Sequence, residues 1–209
     1  TNQSGGGGSA PLLIACHTAD CYYEGTKAWF FCAAAETSAH DLVAKDGRVC
    51  QCVPLERAAW CNGTSAVSGS DKHPSLSSLA LVRRLGGNAN AYSVSIEFEG
   101  FYSDTQGALT DAQLSAAAEL VQHIREEVRR RWDVDIAPDR QHIVGHCEVS
   151  PRTRPNCPGE KFPWTALLKR LGEAPTGRTL YRVQAGAFRS KEEAENFRRT
   201  EMLPRGLSA

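Results

Sequence analysis

Tyr92-Ser93-Val94-Ser95-Ile96-Glu97-Phe98-Glu99 alternates strictly between apolar and polar side chains. A period of two is the strand period, so Tyr92, Val94, Ile96 and Phe98 share one face and Ser93, Ser95, Glu97 and Glu99 the other. The apolar side needs a cover, and the polar side has to face water or a polar site. The clearest helix runs from about Thr110 to Trp132. Thr110 and Gln113 stand at capping-box spacing, and Leu114, Ala117, Val121, Ile124 and Val128 recur at steps of three and four to form one buried stripe. Glu126–Arg130 and Glu127–Arg131 decorate the outer face as pairs worth about 0.2–0.5 kcal/mol each, so that charge run reads as a solvated surface. His142 to His146 then reads as a short strand, followed by a Pro/Arg-rich loop over 150–163 and a short helix at 164–171.

Upstream, residues 62–91 are poor in pattern and rich in Gly, Ser and Asn, with a segment at Leu76–Leu85 that could be helical. Before them, Leu42-Val43-Ala44 and Val49 to Val53 flank Lys45-Asp46-Gly47-Arg48, whose Asp-Gly is a strong hairpin signal. Residues 26–36 favour a helix. Pro11-Leu12-Leu13-Ile14-Ala15-Cys16 is a near-continuous apolar run ending at His17, as in a central strand covered on both faces. Residues 1–10, with Gly5 to Gly8, read as a flexible leader. Strand, helix, hairpin, strand, long helix, strand, helix is the order of an α/β (α+β) domain over residues 11–171, with a central mixed β-sheet flanked by helices.

The chain has 209 residues, with 24 Lys+Arg against 24 Asp+Glu. Zero net charge argues against electrostatically driven nucleic-acid binding, which needs a basic excess to displace counterions. With 41% hydrophobic and 23% charged residues the composition is that of a globular protein. No apolar run approaches the roughly 18 residues of a membrane span. The first residues offer neither a basic start nor an apolar core of a secretory signal, and a chain that begins with Thr leaves export and localisation undecided. Eight cysteines stand at 16, 21, 32, 50, 52, 61, 147 and 157, none in a Cys-x-x-Cys pair, which excludes a zinc ribbon or a thioredoxin motif. Cys50 and Cys52 fall on one face of the hairpin strand. The cysteines read first as small buried apolar residues, and Cys21 and Cys32 could pair across a loop in an oxidising compartment.

His17, His146 and Cys157 are candidates for a catalytic zinc site. Both histidines end strands, imidazole and thiolate suit Zn²⁺, and three protein ligands leave a fourth position for water. By spacing alone, a lone strand-end histidine is more often a plain hydrogen-bonding residue than a ligand. Glu97, on the polar face of a central strand, is either ion-paired, solvated at an edge, or a general base facing a cleft. His73, His123 and His142 read as surface residues.

His17-Thr18-Ala19 after an apolar strand resembles the first zinc-ligand motif of the type 2 N-acetylmuramoyl-L-alanine amidases, the family that includes the peptidoglycan recognition proteins. Ser38-Ala39-His40-Asp41-Leu42-Val43, Asp46-Gly47-Arg48-Val49, Gln51-Cys52-Val53-Pro54-Leu55 and Arg57-Ala58-Ala59-Trp60 resemble the same family in order. So do Ser95 to Gly100, Leu109 to Gln113, Val144 to Pro151, Cys157-Pro158-Gly159 and Phe162-Pro163-Trp164. The resemblance covers residues 11–171 and implies that family's fold. It also implies a zinc amidase, with one Zn²⁺ per chain, that cuts the amide between N-acetylmuramic acid and the L-alanine of the stem peptide in peptidoglycan or muropeptides.

The resemblance makes His17 and His146 ligands, and Cys157 the third at a position where other members use Asp or Cys. Glu97 matches the glutamate of the muropeptide-recycling branch and would take a proton from the attacking water. Related enzymes place a Lys shortly before the last ligand to steady the oxyanion. Here the loop reads Arg152-Thr153-Arg154-Pro155-Asn156-Cys157, with Arg154 the best substitute and Arg152 close behind. Phage and animal members often carry Tyr before the histidine matching His40. The Ala39 found here accords with the Glu-using branch. His40 is either a hydrogen-bonding support of the site or a substrate contact. The 62–91 insertion is expected to form a wall over the substrate groove, with Trp60 and Asn62 at its base as substrate contacts.

After a linker at 172–178, residues 179–209 resemble the opening of a sporulation-related repeat, a module associated with peptidoglycan binding, of which less than half is present. A peptidoglycan-binding module without catalysis is the competing class, and Cys157 together with Glu97 argues against it. A structural zinc site lacks an evident fourth ligand. Between polymeric wall, as for an endolysin or autolysin, and soluble anhydro-muropeptides, as for a cytosolic recycling enzyme, the leader and tail favour polymer. We expect a monomer, with no nucleic-acid partner and no membrane span.

Overall fold

The computed structural model describes residues 2–5, 9–172, 192 and 196. The chain divides into two compact units, Thr1–Ala174 and Pro175–Ala209. The tail read as a partial sporulation-related repeat lies outside the described residues, Glu192 and Asn196 apart. In the first unit the elements are β1 (Gln3–Gly5), β2 (Leu13–Thr18), α1 (Tyr23–Phe30), β3 (Asp41–Val43), β4 (Val49–Gln51), β5 (Arg57–Ala59), α2 (Ala80–Leu85), β6 (Ser93–Phe98), α3 (Tyr102–Thr105), α4 (Asp111–Trp132), β7 (Ile143–Gly145), α5 (His146–Val149) and α6 (Trp164–Gly172).

The main sheet has five strands in the order β4-β3-β6-β2-β7. β2 runs parallel to both β6 and β7, β3 parallel to β6, and β4 returns antiparallel beside β3 through the Asp46-Gly47 turn. Leu13 to Cys16 are wholly buried, as an unbroken apolar run in an inner strand requires. On one face, Ile14, Cys16, Val94, Ile96, Phe98 and Ile143 meet the α4 stripe of Leu114, Ala117, Val121, Ile124 and Val128, with Leu167 of α6 beside them. Each fully buried aliphatic side chain there contributes about 1.5–3 kcal/mol.

The α4 capping box forms as expected. It also anchors the helix, because Thr110 Oγ1 donates to Lys45 O at 2.7 Å and the buried Gln113 amide donates to Glu99 O at 2.9 Å. Of the surface pairs, Arg131 bonds Glu127 while Arg130 also turns to Glu127, and Glu126 is taken by Gln122. Three-residue spacing thus captures Arg130 in place of the expected four.

Several expectations are revised. The leader is not free over its described part, because Gln3–Gly5 pairs antiparallel with Arg57–Ala59, and the Asn2 side chain donates to Cys32 O and Thr37 O at 3.0 and 3.3 Å. The helix expected at 26–36 starts at Tyr23 and stops at Phe30, because Tyr23, Thr26 and Phe30 form its buried face, and Ala33–Ala35 is a separate 3₁₀ turn. Tyr92 lies outside β6 and packs in a different cluster from Val94 and Ile96. The Ser93, Ser95 and Glu97 face is buried throughout. His146 opens α5 and does not end a strand.

The 62–91 insertion is structural cover. Leu79, Val82 and Ala89 pack on Leu13, Ala15 and Val144 of the sheet face opposite α4, and on Val149 of α5. All eight cysteines are free thiols, Cys21 and Cys32 included. Cys16 and Cys52 are buried, Cys32 is exposed and the rest are half-buried. Cys52 lies just past β4, its thiol directed at Cys50 O.

Candidate functional site

Strand periodicity and register assemble the site. Leu13, Ala15 and His17 point to one side of β2, and Ser93, Ser95 and Glu97 to the same side of β6. The parallel register places His17 opposite Glu97 and Cys16 opposite Gly145, so His146 follows one step beyond the last β2–β7 pair. The His17 and His146 rings stand 4.5 Å apart at 62°.

Cys157 arrives from the loop before α6. Cys147 N–H donates to Cys157 O at 2.7 Å and the Thr18 hydroxyl to Pro158 O at 2.6 Å, tying that loop to α5 and to the end of β2. Gly159, at φ +126°, closes the arrangement; a Cβ there would meet Gln106 O at 2.1 Å. Only glycine permits so close an approach in that backbone region. Cys157 Sγ ends 3.7 Å from His17 Nδ1.

One donor atom from each of His17, His146 and Cys157 lies within 4.8 Å of the others. Burial lowers the His17 pKa to about 3 and that of His146 to about 2, so both imidazoles are neutral and carry lone pairs for a cation. The Asn62 side chain opposes the shift at His17, while Arg154 adds to it at both histidines. Burial raises the Cys157 thiol far above its ordinary range, with the nearby Glu97 adding to the rise. A thiol in such surroundings needs a cation to become a thiolate.

Glu97 is 9% exposed, and its Oε2 has no hydrogen-bond partner. Burial pushes its pKa up to about 7, against the lowering pull of the Cys61 thiol and Arg154. Its Oε1 stands 3.8 Å from His17 Nδ1, but with His17 neutral this contact is no ion pair. Two neutral imidazoles, a thiol and an orphaned buried carboxylate oxygen suit a bound divalent metal beside a proton acceptor.

These groups line a cavity of about 420 Å³ that also receives Arg154, Cys61, Thr18 and Tyr102. Of the two arginines considered, Arg154 is the one in the cavity wall, while Arg152 pairs with Asp71 at 3.3 Å on the insertion. His40 does not line the cavity. Its Nδ1 accepts from Ser95 N–H at 3.1 Å and its Nε2 faces Arg57 O at 3.0 Å, so the ring bridges β6 to β5. Trp60, 37% exposed, turns its indole N–H to the Ser4 hydroxyl, away from the cavity lining. Asn62 is buried beside His17, its amide donating to Ser93 Oγ at 2.9 Å, and supports the site from behind. The cavity lining comes from other segments, while the insertion reaches the site through Asn62 beside His17 and through Lys72, whose charge adds to the lowering at His146.

Sequence reasoning missed Cys61. Its Sγ donates to Glu97 Oε1 at 3.2 Å and lies 3.6 Å from both ring nitrogens of His17. The available signal was its place between Trp60 and Asn62, both already singled out.

A family profile described as N-acetylmuramoyl-L-alanine amidase matches residues 7–160. The 1,6-anhydro-N-acetylmuramyl-L-alanine amidase AmpD of Escherichia coli is 31% identical over 145 residues, covering 69% of this chain and 63% of that protein. The chain thus spans less than two thirds of the length of the first curated relatives it matches. Among solved structures, a selenomethionine AmpD derivative superposes with a TM-score of 0.56 at 22% identity, over 81% of this chain and 90% of that one. The E. coli amidase AmiD, in complex with anhydro-N-acetylmuramic acid-L-Ala-D-γ-Glu-L-Lys, gives 0.55 at 22% identity, over 77% and 57%. Those two likenesses show the fold. With the profile match over most of its length, this chain belongs to the N-acetylmuramoyl-L-alanine amidase family.

Proposed function

We propose that this chain is a zinc-dependent amidase that hydrolyses the bond between N-acetylmuramic acid and L-alanine in soluble anhydro-muropeptides. The observation that carries the reading is the meeting of His17, His146 and Cys157 with the orphaned Glu97 carboxylate in one cavity. His17, His146 and Cys157 would hold the zinc, which would supply Lewis-acid polarisation of the amide carbonyl and a more acidic water near neutral pH. Glu97 takes the proton of the attacking water and returns it to the departing alanine nitrogen, a task suited to a carboxyl whose pKa is pushed up to about 7. Arg154, in the cavity wall, offers charged N–H donors to the oxygen on which charge develops. The buried sheet face around His17 keeps bulk water from the ligands, and Asn62 steadies the ring from behind.

Of the two features that favoured a wall-lytic reading, the leader loses its weight and the tail lies outside the described residues. Gln3–Gly5 is a paired strand, and several curated relatives are named as anhydro-muropeptide amidases. A non-catalytic binding module has no use for a buried carboxylate without a partner, which costs stability wherever it does no chemistry. The test is to incubate the purified, zinc-loaded protein separately with 1,6-anhydro-N-acetylmuramyl peptides and with isolated cell-wall sacculi. Release of free stem peptide should be faster from the soluble substrate by at least an order of magnitude. Equal or faster release from sacculi would return the polymeric wall as substrate.

A further inference from the structure

Cys50 and Cys52 belong to no role assigned above, and the hairpin turns both to the side that α1 covers. Val49–Gln51 pairs antiparallel with Asp41–Val43, and Cys50 stands opposite Leu42. Both cysteines and Leu42 pack in one cluster with Tyr23 and Phe30 of α1. Two residues of extended strand separate Cα atoms by roughly 6.6 Å, the upper edge of the range of about 4.4–6.8 Å that a disulfide bridges. The chain does not stay extended there. The N–H groups of Cys52 and Val53 both donate to His40 O, at 2.7 and 3.2 Å, the two-against-one pattern of a bulge, where a strand bends. The Cys52 thiol is directed at Cys50 O at 3.8 Å and also bonds the Cys50 sulfur.

The two thiols are unequal. Cys52 is 7% exposed, whereas Cys50 is only half-buried. The bond from the Cys52 thiol brings the Cys50 pKa down to about 7, and Lys27 and the Tyr23 hydroxyl add to the fall against burial and Glu24. Lys27 and Arg48 also stand over the Tyr23 ring, at 5.8 and 4.9 Å, so two cations gather beside Cys50. The same bond and burial hold the Cys52 thiol far above its ordinary range, with Asp41 adding to the rise. A partly exposed thiolate near cations, touched by a second thiol, has the surroundings of a peroxide-sensitive cysteine and its resolving partner. We propose that Cys50 and Cys52 form an oxidisable pair that reacts with a hydroperoxide and closes to a reversible disulfide. With hydrogen peroxide, the Cys50 thiolate attacks one oxygen, the S–O bond forms and the O–O bond breaks. The other oxygen leaves as hydroxide and takes up the proton that Cys50 gave to solvent. The Cys52 sulfur then attacks Cys50 Sγ, the S–S bond forms and the S–O bond breaks. The Cys52 proton departs with the sulfenic oxygen as a second water. Two thiols thus lose two electrons and one peroxide gains them. Neither thiol lines the cavity, so the pair stands apart from the zinc reading.

Trypsin places both thiols in one peptide, residues 49–57, which holds no third cysteine. The test exposes the purified full chain, with zinc present, to hydrogen peroxide, caps the remaining thiols with iodoacetamide and reads the peptides by mass spectrometry. The 49–57 peptide should lose two hydrogens, escape capping at both positions and regain both thiols with dithiothreitol. Its thiols should disappear about 10-fold faster than that of the exposed Cys32, the advantage of a thiolate already present near neutral pH. Cys32 oxidised first, or a 49–57 peptide still capped at both positions, overturns the proposal. A disulfide from either cysteine to a third overturns it too, as does a Cys50 sulfenic acid that dimedone traps while no disulfide ever forms. In Cys50→Ser, Cys52 should resist peroxide, being buried and protonated, and Cys52 oxidised at the wild-type rate would remove Cys50 as the attacking thiol. Should that variant not fold, the wild-type peptide decides by itself.

Discussion

At the scale of single residues, the proposed chemistry falls on Glu97 and the stability of its surroundings on His40. Glu97→Gln keeps the shape of the side chain and removes the proton acceptor, so kcat should fall by about 10²–10⁴ with zinc content unchanged. An unchanged kcat would take Glu97 out of the reaction. His40 bears on stability. Burial lowers its pKa from 6.5 to about 4, so between those values the unfolded chain holds a proton that the folded chain does not. Stability therefore falls as pH drops from 6.5 towards 4, by about 3 kcal/mol once both values are passed. His17 and His146 shift in the same direction, so the measurement is the difference between wild type and His40→Gln in urea midpoints across that range. The variant should be less stable near neutrality, where it loses the Ser95 and Arg57 bonds, and should lose less on acidification; parallel curves would contradict this. His17 and Glu97 were legible as residues because strand alternation alone sets them on a face that has to be polar. Cys61 was not, since its position depends on β5 folding back towards β6, a contact that no local pattern encodes. Nor could the sequence decide His40, whose two partners come from different strands.

At the scale of elements, α4 is the most legible, because cap, stripe and length agree and tertiary packing follows the same stripe. Ile124→Ala, at a site 1% exposed, should cost about 2–5 kcal/mol, read as a lowered urea midpoint with an unchanged slope. The 62–91 insertion is the opposite case. Its short helix and 3₁₀ turns carry little periodicity, and its purpose shows only against Leu13, Ala15 and Val144, which it covers. Deleting it should leave that sheet face bare and abolish cooperative thermal unfolding. A deletion that still melts cooperatively near the wild-type temperature would show that it is dispensable cover. The Cys157 loop is legible in its motif but not in its support. Gly159→Ala would force a Cβ into Gln106 O, so zinc affinity should drop while the α4 side of the core is kept. Unaltered zinc affinity would mean that the loop tolerates the shift.

At the scale of the whole molecule, the mixed sheet was legible from element order, whereas the small β1–β5 sheet was not, because Gln3–Gly5 carries no strand signal of its own. The buried core and the cavity both lie within Thr1–Ala174. A parallel register brings His17 and Glu97 together, α5 adds His146, a glycine-permitted loop adds Cys157, and zinc-dependent amide hydrolysis is the function proposed for that assembly. The most direct test is a paired measurement on the purified full chain and its Glu97→Ala variant, of zinc content and of muropeptide products by mass spectrometry. About one zinc per chain is expected in both proteins, with free stem peptide released by the wild type alone. Zinc bound by the wild type with no peptide released from any muropeptide, or equal release by the variant, would contradict the proposed function.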